Sequence, residues 1–304
     1  MFDTYRMGAI RFKLDPDGPF LDDHATMAAP PMAYLRSLEE ASLHLEEDNA
    51  SDDPAFSTWL NQLFSPGASL GGARPKASII DPAGQLWIAK FPSRNDDHDI
   101  GGWEAVAHTL AHHAGLNAAE GKPRRLTRNH HSFLTRRFDR QGKDRIHFAS
   151  AMTLLGKTDG ADSTTEVSYL HLAEVLQRQG AHPNRDMEEL WRRIVFNICI
   201  SNSDDHLRNH GFLLTSKGWE LSPAYDLNPV INATGLMLNI TEKSNALDLD
   251  LAREVAEQFR VQKDKREQII EKVAETVSRW RDVAAKLGIL GSERERMEGA
   301  FRYS

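Results

Sequence analysis

One cysteine is all that the 304 residues contain, so no disulfide can form within the chain, and such usage fits a reducing cytoplasm. That residue, Cys199, lies in an apolar helical run, where burial raises a thiol's pKa and makes it packing material rather than a nucleophile. No apolar run reaches membrane-spanning length, and Met1–Arg6 lacks the basic-then-apolar pattern of a signal peptide, so no membrane partner is expected and the cytoplasm is the expected location. An excess of positive charge is missing as well. A formal charge of −7 argues against wholesale coating of nucleic acid and leaves only local basic patches to consider. There is no internal repeat and no low-complexity segment.

What is present is an ordinary globular composition, 40% hydrophobic and 27% charged, in a chain long enough for one large domain or two lobes. Gly8–Phe12 reads as a short strand closed by the turn-rich 15–19, and 32–48 as a helix with Met32, Leu35, Leu38 and Leu45 on one face. A glycine-bearing loop, 68–76, precedes two strands, 77–80 and 86–91, joined by a turn at 81–84. Such a loop is either a plain turn or a cradle in which backbone N–H groups approach a phosphate. Alternation puts Leu86, Ile88 and Lys90 on one face, so a lysine points where core residues point and needs an anion, carboxylate or phosphate.

Residues 101–114 form a helix with Trp103, Val106, Ala107, Leu110 and Ala114 on its apolar side. Glu104 falls in its first turn, either as the partner of Lys90 or as a solvated acid. His108 and His112 have the spacing of zinc ligands on a helix but no third ligand, which favours surface histidines. A basic run at 122–131, a strand at 133–139 and a short strand at 145–148 follow. From about 150 the chain turns helical. Ser163 and Glu166 suggest a capping box opening a helix with Val167, Leu170 and Val175 inward. Residues 187–200 form a second helix, 211–221 a pair of short strands, 251–259 a further helix, and Ile269 to Leu287 one long amphipathic helix.

The apolar helix 187–200 runs into a polar knot of Asn202, Asp204, Asp205, His206 and Asn209, and Asp226 stands alone after the two short strands. Aspartate and asparagine oxygens suit a hard cation such as Mg²⁺, and an aspartate can orient a hydroxyl nucleophile. The order glycine loop, strand lysine, helix glutamate, strand, then Asp204, Asn209 and Asp226 is the order of parts in a protein-kinase-like phosphotransferase. The five-residue step from Asp204 to Asn209 matches the spacing of a kinase catalytic loop.

The segments 69–76, Phe138–Arg140, Asn202–Asn209 and Ser222–Asp226 resemble the signature motifs of the HipA family, serine/threonine kinases that act as toxins of bacterial toxin–antitoxin systems. The resemblance covers roughly 65–290, together with Gly8–Phe12. It implies a two-lobed α/β (α+β) kinase-like fold, with a small mixed N-lobe in 1–140 and a mostly helical C-lobe in 141–304. By motif, Asp204 is the catalytic acid, Asn209 and Asp226 are the Mg²⁺ ligands, and Lys90, partnered by Glu104, is the ATP lysine. Ser69, Leu70, Gly71, Gly72, Ala73 and Lys76 form the phosphate loop, Arg136 and Phe138 lie at the adenine hinge, and His206 braces the catalytic loop.

Ser69 falls where family members autophosphorylate and inactivate themselves, because a phosphoserine's charge occupies the place of ATP phosphates. The resemblance also implies an antitoxin that binds DNA, and a translation component such as an aminoacyl-tRNA synthetase as substrate. Direct nucleic-acid binding is expected only through the antitoxin complex. The chain starts near the end of the longer members' N-terminal subdomain, a part that in compact members resides in a separate protein. Arg136 replaces a hinge glutamate of some members, which changes nucleotide contacts only if the side chain is used. Two other readings remain. A metal-dependent phosphohydrolase or nuclease would use Asp204, Asp205, His206 and Asp226 with the basic 122–140 run, but leaves Lys90 and the glycine loop unexplained. A catalytically silent binding module would have no need of Asp204, Asn209, Asp226 and Lys90 together.

Overall fold

Four antiparallel strands come together from residues whose alternation already separates two faces: β1 (Lys76–Ile80), β2 (Leu86–Lys90), β3 (Gly121–Arg124) and β4 (Ser132–Arg136), in the order β1-β2-β4-β3. The computed structural model describes residues 3–21, 29–57, 60, 63, 74–127 and 130–303, so Ser69, Leu70, Gly71, Gly72 and Ala73 lie outside the described residues. By contacts the chain divides into two units, Met1–Ala105 with Glu120–His147, and Val106–Ala119 with Phe148–Ser304.

In the first unit, Ala77, Ile79, Trp87, Ala89 and Leu134 point to one side of the sheet and pack on Leu35, Leu38 and Ala41 of helix α1 (Leu35–Leu45). Full burial of each large side chain there contributes about 1.5–3 kcal/mol. The register Lys76↔Lys90, Ser78↔Ile88, Ile88↔Thr135 and Lys90↔Phe133 puts Lys90 on the opposite side, away from this core. The β1–β2 turn is held by Asp81, whose carboxylate accepts from Ala83 N, Gln85 N and Trp87 Nε1. Gly84 supplies the left-handed residue at φ +78°.

Helix α2 (Ile100–His113) begins one residue before the expected start, with Asp99 as its cap. The Asp99 carboxylate accepts from Gly102 N at 2.9 Å, from His131 N at 2.7 Å and from the His131 ring. Glu104 therefore lies in the second turn, not the first. His108, one helical turn further on, shares its buried side; it is only 4% exposed, with its ring edge-on to His112 at 4.8 Å. Surface placement holds for His112 alone. A Cβ at Gly101 would lie 2.0 Å from His131 O, so this close approach of helix to strand requires glycine.

Gly8–Phe12 is not a strand. Gly8 is left-handed at φ +69°, and side chains replace a ladder. Asp139 accepts from Gly8 N at 2.7 Å, while Arg137, Arg140 and Arg145 donate to the carbonyls of Asp3, Thr4, Tyr5, Arg6 and Gly8. A short hairpin of β5 (Arg140–Gln141) and β6 (Asp144–Arg145) follows, and the strand expected at 145–148 is divided between β6 and β7 (His147–Ser150).

The second unit is mostly helical, with a sheet of order β7-β8-β9 in which β8 (Gly211–Thr215) and β9 (Gly218–Leu221) form the expected hairpin. After the short α3 (Ala151–Leu154), the capping box falls elsewhere than expected. Asp162 and Thr165 cap a 3₁₀ turn, Glu166 is left-handed at φ +59°, and α4 (Tyr169–Gln179) opens on a second box of Ser168 and His171. Helix α5 (Pro183–Cys199) starts on a proline that needs no hydrogen bond there, and buries Met187, Leu190, Trp191, Ile194, Val195 and Ile198. Cys199 is fully buried in it, which pushes the thiol up to about 12.

The expected helix over 251–259 is α6 (Leu249–Glu254) followed by a 3₁₀ turn. The long helix is two, α7 (Lys263–Ser278) and α8 (Trp280–Lys286), broken at Arg279, and α9 (Gly291–Met297) ends the series. Periodicity alone cannot reveal a break that leaves Val277, Trp280 and Ala284 all buried. No helix is long and apolar enough to cross a membrane among the described residues.

Candidate active site

Each unit carries part of the expected residue set. In the first, Lys90 Nζ donates to Glu104 Oε1 at 2.6 Å, with the lysine side chain 14% and the glutamate 3% exposed. A pair this buried is costly to assemble and more costly to break, which marks it as specified rather than incidental. Lys76 lies directly across the strand pair from Lys90, a juxtaposition of like charges that favours an anion nearby. Arg136 uses its backbone N–H on Glu120 O at 2.7 Å and its exposed guanidinium on the Glu120 carboxylate at 3.0 Å. Such a surface pair adds little stability. Half-buried Phe138 sits between Arg137 and Asp139, whose side chains grip each other and the N-terminal segment.

Asp139 keeps its charge in this network. Burial opposes the charge, but hydrogen bonding and charge from Arg137, the Arg140 charge and the Gly8 N–H outweigh it, so its pKa is held below the usual carboxylate range. Burial in turn pushes the Arg140 guanidinium down to about 10. Asp99 is lowered in the same way, burial being outweighed by the ring and backbone of His131. A depressed folded pKa contributes stability that is full above the unfolded value of about 3.9 and disappears as pH falls through the folded one. The urea midpoint should therefore hold near neutrality and drop below about pH 4. Asp139→Asn should lower the neutral midpoint and flatten the acid slope, as urea titrations from pH 7 to 3 will read.

In the second unit, α5 ends at Cys199, and Ser201 turns the chain left-handed at φ +52° into the polar knot. Arg302 braces this corner, its N–H on Cys199 O at 2.7 Å, its Nε on Ser201 Oγ at 3.0 Å and its Nη2 on Ala233 O at 2.9 Å. Asp205 turns inward. One of its oxygens accepts from Tyr169 OH at 2.7 Å, Asn197 Nδ2 at 2.7 Å and His210 Nε2 at 2.9 Å. Burial alone would raise its pKa, yet His210 and these bonds keep it low, and the Tyr169 hydroxyl is held well above its ordinary value by burial and by Asp205. Asp205 is thus an internal anchor.

Asp204, its neighbour, faces the other way and lines a cavity of about 240 Å³ with His206, Arg208, Met152, Met237 and Asp159. Burial raises its pKa, and repulsion from Asp226 and Asp205 adds to this against the opposing charge of His206. Asn209, on a 3₁₀ turn, donates Nδ2 to Asp204 O at 3.0 Å, which commits its amide nitrogen and leaves its oxygen for a ligand. Asp226 is left-handed at φ +59°, and Tyr225 before it ties OH to Arg208 O at 2.6 Å. Asn228 Nδ2 donates to Asp226 Oδ1 at 2.9 Å.

These residues fit Mg²⁺. The donors are hard oxygens, and the mutual repulsion of Asp204 and Asp226 is an excess of negative charge that a bound cation offsets. Among the described residues no three His, Cys, Asp or Glu side chains cluster as a metal site. Reading by residue type overlooked Asn197, Asn228, Arg137 and Arg302. Only Asn197 carried a signal, being an amide on the buried side of an apolar helix, where a polar group needs a partner.

A profile of the HipA-like C-terminal domain matches residues 68–280. The chain is 26% identical over 285 residues to the protein named "Putative kinase Y4dM" of Sinorhizobium fredii, covering 88% of this chain and 63% of that one. It is 28% identical over 182 residues to "Putative kinase Y4mE" of the same organism, covering 52% and 41%. The chain therefore spans less than two thirds of the length of these relatives. Its fold is shared with a chain of the Shewanella oneidensis toxin–antitoxin complex of HipA, HipB and operator DNA, at a TM-score of 0.59 and 19% identity over 76% of this chain and 62% of that one. The α+β, kinase-like fold is the one implied by the motifs. With the profile spanning well over half its length and including the loop of Asp204 and Asn209, the chain belongs to the HipA-like C-terminal domain family.

Proposed function

We propose that the chain is an ATP- and Mg²⁺-dependent serine/threonine protein kinase, the toxin of a bacterial type II toxin–antitoxin system. The observation that carries this reading is the buried Lys90–Glu104 pair at 2.6 Å, which a phosphohydrolase or nuclease has no use for. In the first unit, Lys76 and Lys90 hold phosphate oxygens with the loop Ser69, Leu70, Gly71, Gly72 and Ala73, and the backbone from Arg136 to Phe138 meets adenine. In the second, Asn209 and Asp226 hold Mg²⁺, which neutralises phosphate charge when bound. Asp204 orients the substrate hydroxyl and takes its proton, and His206 braces that loop. Ser69 is the autophosphorylation site, where added negative charge excludes ATP phosphates. The partners in this reading are a DNA-binding antitoxin, as in the complex solved for the Shewanella protein, and a translation component such as an aminoacyl-tRNA synthetase.

Cells expressing the wild-type chain or Asp204→Asn provide the test, with phosphopeptides compared by mass spectrometry. The expected result is phosphoserine at Ser69 and a small set of wild-type-only sites in the translation apparatus. Phosphate on neither Ser69 nor any other protein would sink the kinase reading. Mg²⁺-dependent DNA cleavage that survives Lys90→Ala would favour the hydrolase instead.

A further inference from the structure

A run of buried side-chain amides links the loop of Asp204 to that of Asp226. Asn197 Nδ2 donates to Asp205 Oδ2 at 2.7 Å, Asn202 Nδ2 to Asn197 Oδ1 at 3.1 Å, and Asn228 N to Asn202 Oδ1 at 3.4 Å. Asn228 Nδ2 completes the run on Asp226 Oδ1 at 2.9 Å. Beside it, Val230 N donates to Ser201 O at 3.3 Å. Asp226 is a non-glycine residue at φ +59°, a conformation that costs about 1–3 kcal/mol and persists only where the surroundings over-determine it. Pro229 narrows the backbone choices of Asn228 further.

One atom in this run is unsatisfied. Asn228 Oδ1 is buried without a hydrogen-bond partner, and leaving such an acceptor unpaired costs about 1–3 kcal/mol. Protein stability alone gives no reason to keep it. A site that receives a hydrated cation does, because an ion-bound water donates to such an oxygen. The side chain's identity agrees. An aspartate at 228 would repel Asp226, whereas an amide donates to one carboxylate oxygen and fixes the direction of the other.

We propose that Asn228 is a positioning residue of the divalent-cation site: Nδ2 holds Asp226 Oδ1 so that Oδ2 is presented to the ion, and Oδ1 accepts from ion-bound water. This rests on the reading of Asn209 and Asp226 as the Mg²⁺ ligands. Mn²⁺ binding, followed by electron paramagnetic resonance with and without a non-hydrolysable ATP analogue, tests it in Asn228→Ala and in the volume-preserving Asn228→Leu. Loss of a group that orients a metal ligand typically weakens the metal about 10–100-fold, and that is the expected loss in both variants. Melting temperature in EDTA and metal-free analogue binding should stay at wild-type values. Wild-type Mn²⁺ affinity in either folded variant, or a lowered melting temperature with unchanged affinity of the folded protein, would overturn the assignment and leave the kinase reading standing. A wild-type chain that binds neither Mn²⁺ nor the analogue would overturn both.

Discussion

Asp204→Asn is expected to reduce phosphate transfer from ATP about 10²–10⁴-fold while raising, not lowering, the melting temperature. The first effect follows from the role proposed for the carboxylate, since an amide of the same shape accepts no proton. The second follows from its surroundings. Partial desolvation of the largely exposed Asp204, with repulsion from Asp226 and Asp205, outweighs the opposing charge of His206, so its folded pKa is raised. A carboxylate whose folded pKa exceeds its unfolded one is a net cost to the native state at pH 7, and asparagine removes it. Loss of function with gain of stability is the mark of a residue kept for chemistry. Single-turnover transfer of labelled phosphate and a thermal melt on the same preparation read both quantities. A variant that loses activity because it melts earlier would refute the assignment.

Breaking the Lys90–Glu104 pair is expected to have the largest effect on stability. Glu104→Ala removes the carboxylate from an ammonium that is 14% exposed, and Lys90→Met removes the ammonium from a carboxylate that is 3% exposed. Either change should cost about 3–5 kcal/mol, the usual penalty for removing one partner of a buried ion pair. The double variant Lys90→Met/Glu104→Leu removes both charges and should recover most of that loss, because well-packed apolar pairs often match buried ion pairs. Urea unfolding measures this cycle. Phosphate transfer should not recover in the double variant, since the cation proposed to hold phosphate is gone. Recovery of activity with stability would show that the pair has a packing role only.

Local chemistry and long-range packing contributed differently to what could be read in advance. The step from Asp204 to Asn209 was legible because its geometry is local: five residues bring Asn209 Nδ2 onto Asp204 O. Lys90 and Glu104 were legible as a candidate pair because a lysine on the core-facing side of a strand needs an anion and the next helix carries an acid beside its apolar side, although the helix start was misplaced. The residue that decided it, Asp99, is defined as a cap by His131, 32 positions away. His108 read as surface because its burial depends on the side of α2 that carries Glu104. Glu166 read as half of a capping box, but Thr165 and His171 took that role in two successive turns.

By itself the sequence supplied the parts on which the proposed chemistry rests: an oxygen-rich loop after an apolar helix, a lysine on a strand and a single cysteine within an apolar run. Tertiary structure alone decided which of two adjacent carboxylates faces a cavity and which is tied into the interior. Asp205 is consumed by donors from α4, from α5 and from His210 just before β8, and Asp204 is left facing the cavity. It also decided that Arg302, 101 residues from Ser201, holds the corner from which that loop departs. The physical reason is the same in both cases. A buried polar group takes its role from whichever donors the fold brings within about 3 Å, and those come from anywhere in the chain.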